Sequence, residues 1–405
     1  QKSQMLTGLL ECRKKDESKL IKHLITDVRA EGVLSLASGL AARVLFLCVR
    51  QADCSGDQTR VKGLCSAAVS GFKTALKVNH LYLYPLSQCH SPRQVTHLNL
   101  NNYFISYAEM TSHRNRPLLL QDMRGSEELV PLVTDVQESV RALSDLCIQA
   151  YQQLLSISES RLQPIIVPAM LESETIPGLA GSSVKLSAGR KRAGSDPRPS
   201  ASTEGATMSA VLRELSALHT ALSRQDLPSA LQEQAFHQLM YLLAATTLNS
   251  LLLRKDMCCW NRGLQIRYNV SLLEEWLRSR SLQTGGAVTT LEPLIQAAQL
   301  LQMSKKTEAD GQAMVQACNA LSNQQVVKIL SLYTPQSDLE ERVTLNFIRI
   351  VQGLLKGRSE GQPPQLLMDV RRVFPVTFPY LPPPQVSAAQ LEIPESLKIS
   401  FLRRV

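Results

Sequence analysis

Aromatic residues are scarce in this chain, at 5% of 405 positions, too few to build the ring platforms on which single-stranded nucleic acid stacks. A basic block is missing too, apart from Arg190-Lys191-Arg192, although 44 Lys and Arg against 35 Asp and Glu leave a formal charge of +9. Cations dispersed in this way read as solvated helix faces and not as a nucleic-acid footprint. The nine cysteines are an odd number and include no CxxC pair, and the adjacent Cys258 and Cys259 lack zinc-ligand spacing. Reduced thiols are therefore expected, in place of a disulfide framework or a zinc module. There is no Gly-rich phosphate loop, no GxSxG elbow and no HExxH pair, so no catalytic residue, metal or cofactor is expected and a binding role is. The longest uncharged run, Ala235 to Leu253, contains His237, Gln238, Thr246, Thr247, Asn249 and Ser250, which makes it a central bundle helix and not a membrane span. Residue 1 is Gln, with no charged and apolar leader after it, as expected of an internal or C-terminal piece of a longer cytoplasmic protein.

Period-two alternation is nearly absent, whereas apolar residues recur at helical spacing along most of the chain, which predicts an all-α fold. Asp16 to Val28 places Leu20, Ile21, Leu24, Ile25 and Val28 on one face, and Val61, Leu64, Cys65, Ala68, Phe72 and Leu76 do the same for the next helix. A longer helix begins near Asp135. Its stripe of Val136, Val140, Leu143, Cys147, Ala150, Leu154 and Ile157 is expected to end where Pro164 and Pro168 interrupt it. Met208 to Leu222 and Ala230 to Leu253 form two more. A capping box at Ser271 and Glu274 predicts a helix burying Val270, Leu273 and Leu277 up to the break at Gly285-Gly286, and Thr290 suits the N-cap of the next, with Leu291, Leu294, Ile295, Ala298 and Leu301 buried. Further boxes at Thr307/Asp310, Ser322/Gln325 and Ser337/Glu340 start three more, the last burying Leu339, Val343, Phe347, Ile350 and Leu354.

Two stretches break the pattern. Between Ile176 and Thr207 the composition turns to Gly, Ser, Ala, Pro and Arg, too weakly apolar to offset the entropy of ordering it. From Phe374 onward Pro375, Pro379, Pro382, Pro383 and Pro384 forbid helix, so the last residues must lie extended. The expected organisation is a first helical subdomain over 1–175, a flexible loop over 176–207, a second helical subdomain over 208–373, and an extended C-terminal clamp over 374–405.

The tract from Leu251 to Gln302 holds both tryptophans, Trp260 and Trp276, and carries LLLRKD, QIRYN, LEEWLR and LEPLIQAAQLLQ in that order. It resembles the cargo-binding globular tail of class V myosins, the dilute domain. The resemblance continues through QVVKILSLYTP, EERVTLNFIR, QLLMDVRRVFPVTFPY and IPESLKISFLRRV, and upstream through LSDLCIQAYQQLL and LQPIIVPAMLESETIPGL. It does not extend over 78–134, where His80, His90, His97 and His113 cluster in an atypical insert or replaced segment; Cys89, His90 and His97 read there as solvated residues, since finger spacing is lacking.

The resemblance implies an elongated multi-helix bundle of two subdomains whose Pro-rich C-terminal segment packs back. It implies a tail that binds Rab-type GTPases and vesicle adaptor proteins, that folds back on its own motor head to inhibit it, and that is dimeric through an upstream coiled coil. The expected place of action is the vesicle or recycling-endosome surface, on the actin cytoskeleton. The tyrosine of QxRYN and the last glutamine of AAQLLQ, Tyr268 and Gln302, match the family's Rab-binding positions. Lys255 in LLLRKD and Lys328 in QVVKIL match its motor-head contacts. Ser195, three residues after Arg192, resembles its phosphorylated basic loop. The other class of function compatible with the pattern is a generic helical scaffold or trafficking adaptor without a motor.

Overall fold

A computed structural model describes residues 8–27, 39–81, 135–173, 207–224, 227–336, 340–358, 365–379 and 388–405. They are overwhelmingly helical, and the strands among them are two residues long. The chain divides into two compact units drawn from interleaved stretches: Gln1–Ile157, Ala217–Gln232 and Val376–Val405 form one, Ser158–Ser216 and Glu233–Pro375 the other.

In the first unit, α1 (Glu17–Ile21) continues as a π turn over Lys22–Thr26, and Leu20, Ile21, Leu24 and Ile25 are buried as their spacing requires; Val28 lies outside the described residues. Helix α2 (Leu40–Cys54) buries nearly every side, including Val44, Phe46, Leu47 and Val49. Helix α3 (Gln58–Leu81) buries Val61, Leu64, Cys65, Ala68, Phe72 and Leu76. It meets α1 at Gly71, where an added Cβ would stand 2.9 Å from Ile21 Cγ2.

Helix α4 (Gln137–Val167) runs through Pro164, contrary to the expected interruption. Pro164 is exposed, so its missing N–H leaves no buried acceptor stranded, while the stripe runs across it from the buried Leu162 to the buried Ile166 and holds the helix together. Pro168 does change the ladder, which widens into a π turn over Pro168–Glu172.

The C-terminal segment belongs to the first unit and is short of regular structure, with 3-10 turns at Ala388–Gln390 and Glu395–Leu397. Its last residues form β2 (Arg403–Arg404), antiparallel to β1 (Leu10–Glu11), with Leu10 opposite Arg404. Val405 closes the ladder by donating to Leu9 O at 3.0 Å and accepting from Gly8 N at 2.8 Å. Ala388, Leu391, Leu397 and Ile399 are buried, so the segment contributes core as well as hydrogen bonds.

Helix α5 (Met208–Arg224) precedes α6 (Ser229–Leu253). In the second unit the central element is α6, whose residues from Ala235 to Leu252 are almost all buried. An extended strap, residues 365–375, lies along it, and the polar side chains of α6 satisfy the strap's backbone. Gln238 donates to Arg372 O (2.8 Å) and accepts from Phe374 N (3.0 Å), Tyr241 donates to Asp369 O (3.0 Å), and Asn249 donates to Met368 O and accepts from Met368 N, both at 2.8 Å. No helix among the described residues is long and apolar enough to cross a membrane.

Helices α7 (Trp260–Ser279), α8 (Glu292–Gln302), α9 (Glu308–Ala317), α10 (Asn323–Leu332) and α11 (Leu345–Leu355) complete the unit. The boxes at Thr307/Asp310 and Ser322/Gln325 cap α9 and α10 reciprocally. Three expected starts are corrected. Ser271 lies in the middle of α7, where its hydroxyl donates to Tyr268 O at 2.6 Å and Glu274 pairs with Arg267; the stripe begins earlier, with Gly263 and Ile266 buried, so the helix has no reason to start at Ser271. Thr290 sits inside a 3-10 turn, Thr289–Leu291, and donates to Ala287 O. Ser337 lies outside the described residues, and Glu340 is taken by Tyr333 OH and Gln336 N. Helix α11 therefore begins after Thr344, which accepts from Phe347 N at 3.1 Å, and it buries Phe347, Val351 and Leu355, leaving Val343, Ile350 and Leu354 half-buried.

Burial raises the thiols well above their ordinary range: Cys65 is pushed up to about 12 by desolvation alone, and Cys12 and Cys318 to about 11, again chiefly by burial. A group whose folded-state pKa is raised holds its proton longer than the unfolded chain does, so its stabilisation is full below pH ~9 and is lost as pH climbs toward the folded value. Lys305, pushed down to about 8 by burial, opposes this trend but is outnumbered. The melting temperature should fall steadily between about pH 8.5 and pH 10.5, and Cys65→Ala should show a shallower slope in the same titration; a flat profile would overturn the assignment.

Candidate functional site

The QIRYN motif, residues 265–269 on α7, splits between inside and outside. Gln265 and Asn269, one turn apart, are buried. Gln265 donates to Asn269 Oδ1 (3.2 Å), and Asn269 donates to Ala169 O (3.2 Å) and Met170 O (3.1 Å). Those carbonyls belong to the π turn that ends α4, where the widened ladder leaves acceptors in need of donors. Arg267 is exposed and Tyr268 half-buried, so the same five residues fasten the core and furnish a surface.

Helix α8 crosses α7 closely. An added Cβ on Gly263 would stand 2.7 Å from Ala298 O, 2.9 Å from Leu301 Cβ and 3.2 Å from Gln302 Cγ, so only glycine admits this approach. The crossing seats Gln302, half-buried with its amide donating to Ala298 O at 3.2 Å, beside a surface hollow of about 320 Å³ lined by Arg267, Ile295, Gln299, Gln302 and Met303. Tyr268 follows Arg267 in the chain but is not part of that lining.

The end of α8 is held by Lys305, which the sequence reading missed. Its ammonium donates to Leu301 O (2.9 Å) and Met303 O (2.6 Å), the carbonyls a helix C-terminus leaves unpaired, and stands 4.1 Å over the Tyr333 ring. Tyr333 OH in turn donates to Glu340. A lysine within a few residues of a helix end is a weak signal, and only the fold brings Tyr333 beneath it.

Lys255 and Lys328 come together through backbone. Lys255 is exposed in the 3-10 turn Lys255–Met257, between Arg254, which bonds Glu172 at 2.6 Å and Asp256 at 3.0 Å, and Asp256 itself. Thr334, just past α10, donates to Lys255 O (3.4 Å) and Cys258 O (2.8 Å). Lys328 on α10 is half-buried, and its charge acts on the buried Cys258 thiol, which burial pushes up to about 12. Both lysines therefore border one neighbourhood of the second unit. Ser195 lies outside the described residues, as do Cys89, His90 and His97; among the described residues no three His, Cys, Asp or Glu are grouped to hold a metal ion.

The DIL domain family matches residues 234–337, which contain all four of these positions. The chain is 42% identical to unconventional myosin-Va of Rattus norvegicus over 405 residues, 98% of this chain and 21% of that protein. It is 42% identical to unconventional myosin-Vb of Mus musculus over 403 residues, again 98% of this chain and 21% of the relative. The chain thus spans about a fifth of the length of the curated relatives it matches. The solved structure of Myo2-GTD in complex with Mmr1 superimposes with a TM-score of 0.65 at 20% identity, covering 95% of this chain and 93% of that one, which establishes a common fold.

The α7–α8 crossing makes a clear expectation. Gly263→Ala should gain helix propensity worth about 1 kcal/mol, yet its methyl group meets backbone, which cannot swing aside as a side chain does. A net loss of about 1–3 kcal/mol is expected, read as a lower melting temperature, and a melting temperature equal to or above the parent's would show that the crossing yields.

Proposed function

This chain belongs to the DIL-domain globular tails of class V myosins, and we propose that it is the cargo-binding tail of an actin-based transport motor, holding a Rab-type GTPase on the outward faces of α7 and α8. The observation that carries the reading is the division of QIRYN: Gln265 and Asn269 are spent on the core, while Arg267 lines the hollow at Gln302 and Tyr268 beside it in the chain is half-exposed. A tyrosine half in and half out brings a rigid ring and a hydroxyl to an interface at little entropic cost, and an adjacent glutamine offers both a donor and an acceptor. Vesicle adaptors would bind the same tail, whose fold neighbour Myo2-GTD is solved in complex with Mmr1. The place of action is the cytoplasmic surface of vesicles.

The second part of the proposal is autoinhibition. Lys255 and Lys328 flank one neighbourhood and neither makes an ion pair among the described residues, so both remain available to acidic groups of the motor head. Exposed pairs are worth only about 0–1 kcal/mol each, but a tail tethered to its own motor meets it at high effective concentration, and several weak contacts then suffice.

Two measurements test this. Tyr268→Glu and Gln302→Ala should each weaken binding of a GTP-loaded Rab-type GTPase by about tenfold or more with the melting temperature held; an unfolded Tyr268→Glu protein would instead make Tyr268 a core residue. In the full-length motor, Lys255→Glu with Lys328→Glu should raise the ATPase rate at low calcium several-fold, and an unchanged rate would remove these lysines from the head contact.

A further inference from the structure

Helices α10 and α11 leave between them a groove of about 760 Å³ with a mostly apolar lining, closed at one side by the strap residue Leu366. Val327 and Leu366 are half-buried and offer apolar surface in an open depression, and Leu355 is buried. Three cations stand on its walls: Lys328 on α10, and Arg349 and Lys356 on α11. Arg349 and Lys356 are seven residues apart, two turns along one face, so their stems are spaced by about 10 Å. The lining contains no Asp or Glu, and among the described residues none of the three cations makes an ion pair. Gly353 lies between Arg349 and Lys356, and a Cβ there would meet nothing within 4 Å.

That glycine is informative. A glycine inside a helix costs about 1 kcal/mol relative to alanine, and at Gly71 and Gly263 a close approach by the chain itself accounts for it. As at Gly63 on α3, nothing among the described residues approaches Gly353. Its effect is to keep the groove open between two cations, where an incoming backbone or helix can come close.

The geometry points to a docking site for an acidic amphipathic segment of a cargo protein, with apolar side chains on Val327 and Leu366, acidic side chains reaching Lys328, Arg349 and Lys356, and closest approach at Gly353. A concave, apolar floor rimmed by one sign of charge matches a helix laid in a groove, with apolar anchors at i, i+3 or i+4 and i+7 and carboxylates on its flanks. An anionic lipid surface is the poorer match, because a bilayer needs cations that project from a flat or convex face, whereas these flank a depression. The inference goes beyond the Rab and motor-head reading: it shares Lys328 with the proposed head contact, but Arg349, Gly353 and Lys356 take no part in either.

The test is selection of short random peptides displayed on phage against the full chain, with counter-selection on the Gly353→Leu protein, followed by fluorescence anisotropy of the enriched peptide. Gly353→Leu fills the groove without touching the core and should not lower the melting temperature, because leucine is the better helix former. The expected result is an acidic amphipathic peptide whose affinity drops about tenfold or more on Gly353→Leu and again on Arg349→Glu with Lys356→Glu, and which weakens with added salt. Enrichment of neutral or basic peptides, or binding insensitive to these variants, overturns the proposal. So does loss on Lys328→Glu alone with Arg349→Glu/Lys356→Glu silent, which would place the peptide on the head-contact neighbourhood. Phosphatidylserine vesicles provide the last arm: recruitment of the parent protein that the Arg349→Glu/Lys356→Glu variant loses, with no peptide enriched, assigns the groove to a membrane.

Discussion

The second unit depends on one exchange of hydrogen bonds, between the side chains of α6 and the backbone of the strap. A helix buried nearly all round can carry a polar side chain only where that side chain is fully partnered, and an extended segment outside any sheet must find partners for its own N–H and C=O groups. Gln238, Tyr241 and Asn249 answer both demands at once. They fall on one face of α6, and Gln238 to Asn249 spans about 16 Å of helix. The strap runs antiparallel to the helix and turns at Asp369–Arg372, where Arg372 N donates to Asp369 O at 3.1 Å. Its end is pinned where His237 stacks on Phe374 at 4.3 Å and Arg372 lies 4.8 Å above the same ring.

From this core the rest of the site is placed by contact. Trp276 on α7 packs its ring 5.1 Å from Phe236 of α6 and donates its indole N–H to Ser216 at 2.9 Å. That leaves α7 with a fixed inner face, against which Asn269 catches the π turn ending α4. Helix α8 then follows α7 at the distance Gly263 allows, and Lys305 secures its last carbonyls to Tyr333. Leu366, at the other end of the strap, accepts from Gln325 at 3.0 Å, so the same segment that satisfies α6 also positions α10.

Helix type was legible wherever one face is apolar and the other is not, as in α3, whose six expected core positions are all buried. No helix was expected over α2, although its Arg43, Arg50, Gln51 and Asp53 interrupt an otherwise apolar run. Capping boxes were trustworthy only where the apolar stripe begins at the box: Thr307/Asp310 and Ser322/Gln325 stand before their stripes, whereas Ser271/Glu274 falls within one that is already running. Pro164 misled for a related reason, since a proline breaks a helix when burial makes its missing donor costly, and this one is exposed. Lys305 and the α10–α11 groove could not be read at all. Each depends on residues tens of positions apart in the sequence, which periodicity does not join.

The motifs that identify the family are not themselves the site. In LLLRKD, Arg254 and Asp256 bind each other while Lys255 between them faces outward. In LEPLIQAAQLLQ, Gln296 is buried and bonded to Glu292, Asn319 and Ala320 N, whereas Gln299 is exposed and Gln302 half-exposed. In QVVKIL, Gln325 caps its helix and holds the strap while Lys328 borders the groove. Each motif thus interleaves residues that build the unit with residues left at the surface, because a helix that buries one stripe necessarily presents its intervening positions. A match to the whole motif therefore reports the fold first. Which partner the outward residues suit is a separate question, answered by the charge and shape that neighbouring helices contribute, as Arg349 and Lys356 do beside Lys328.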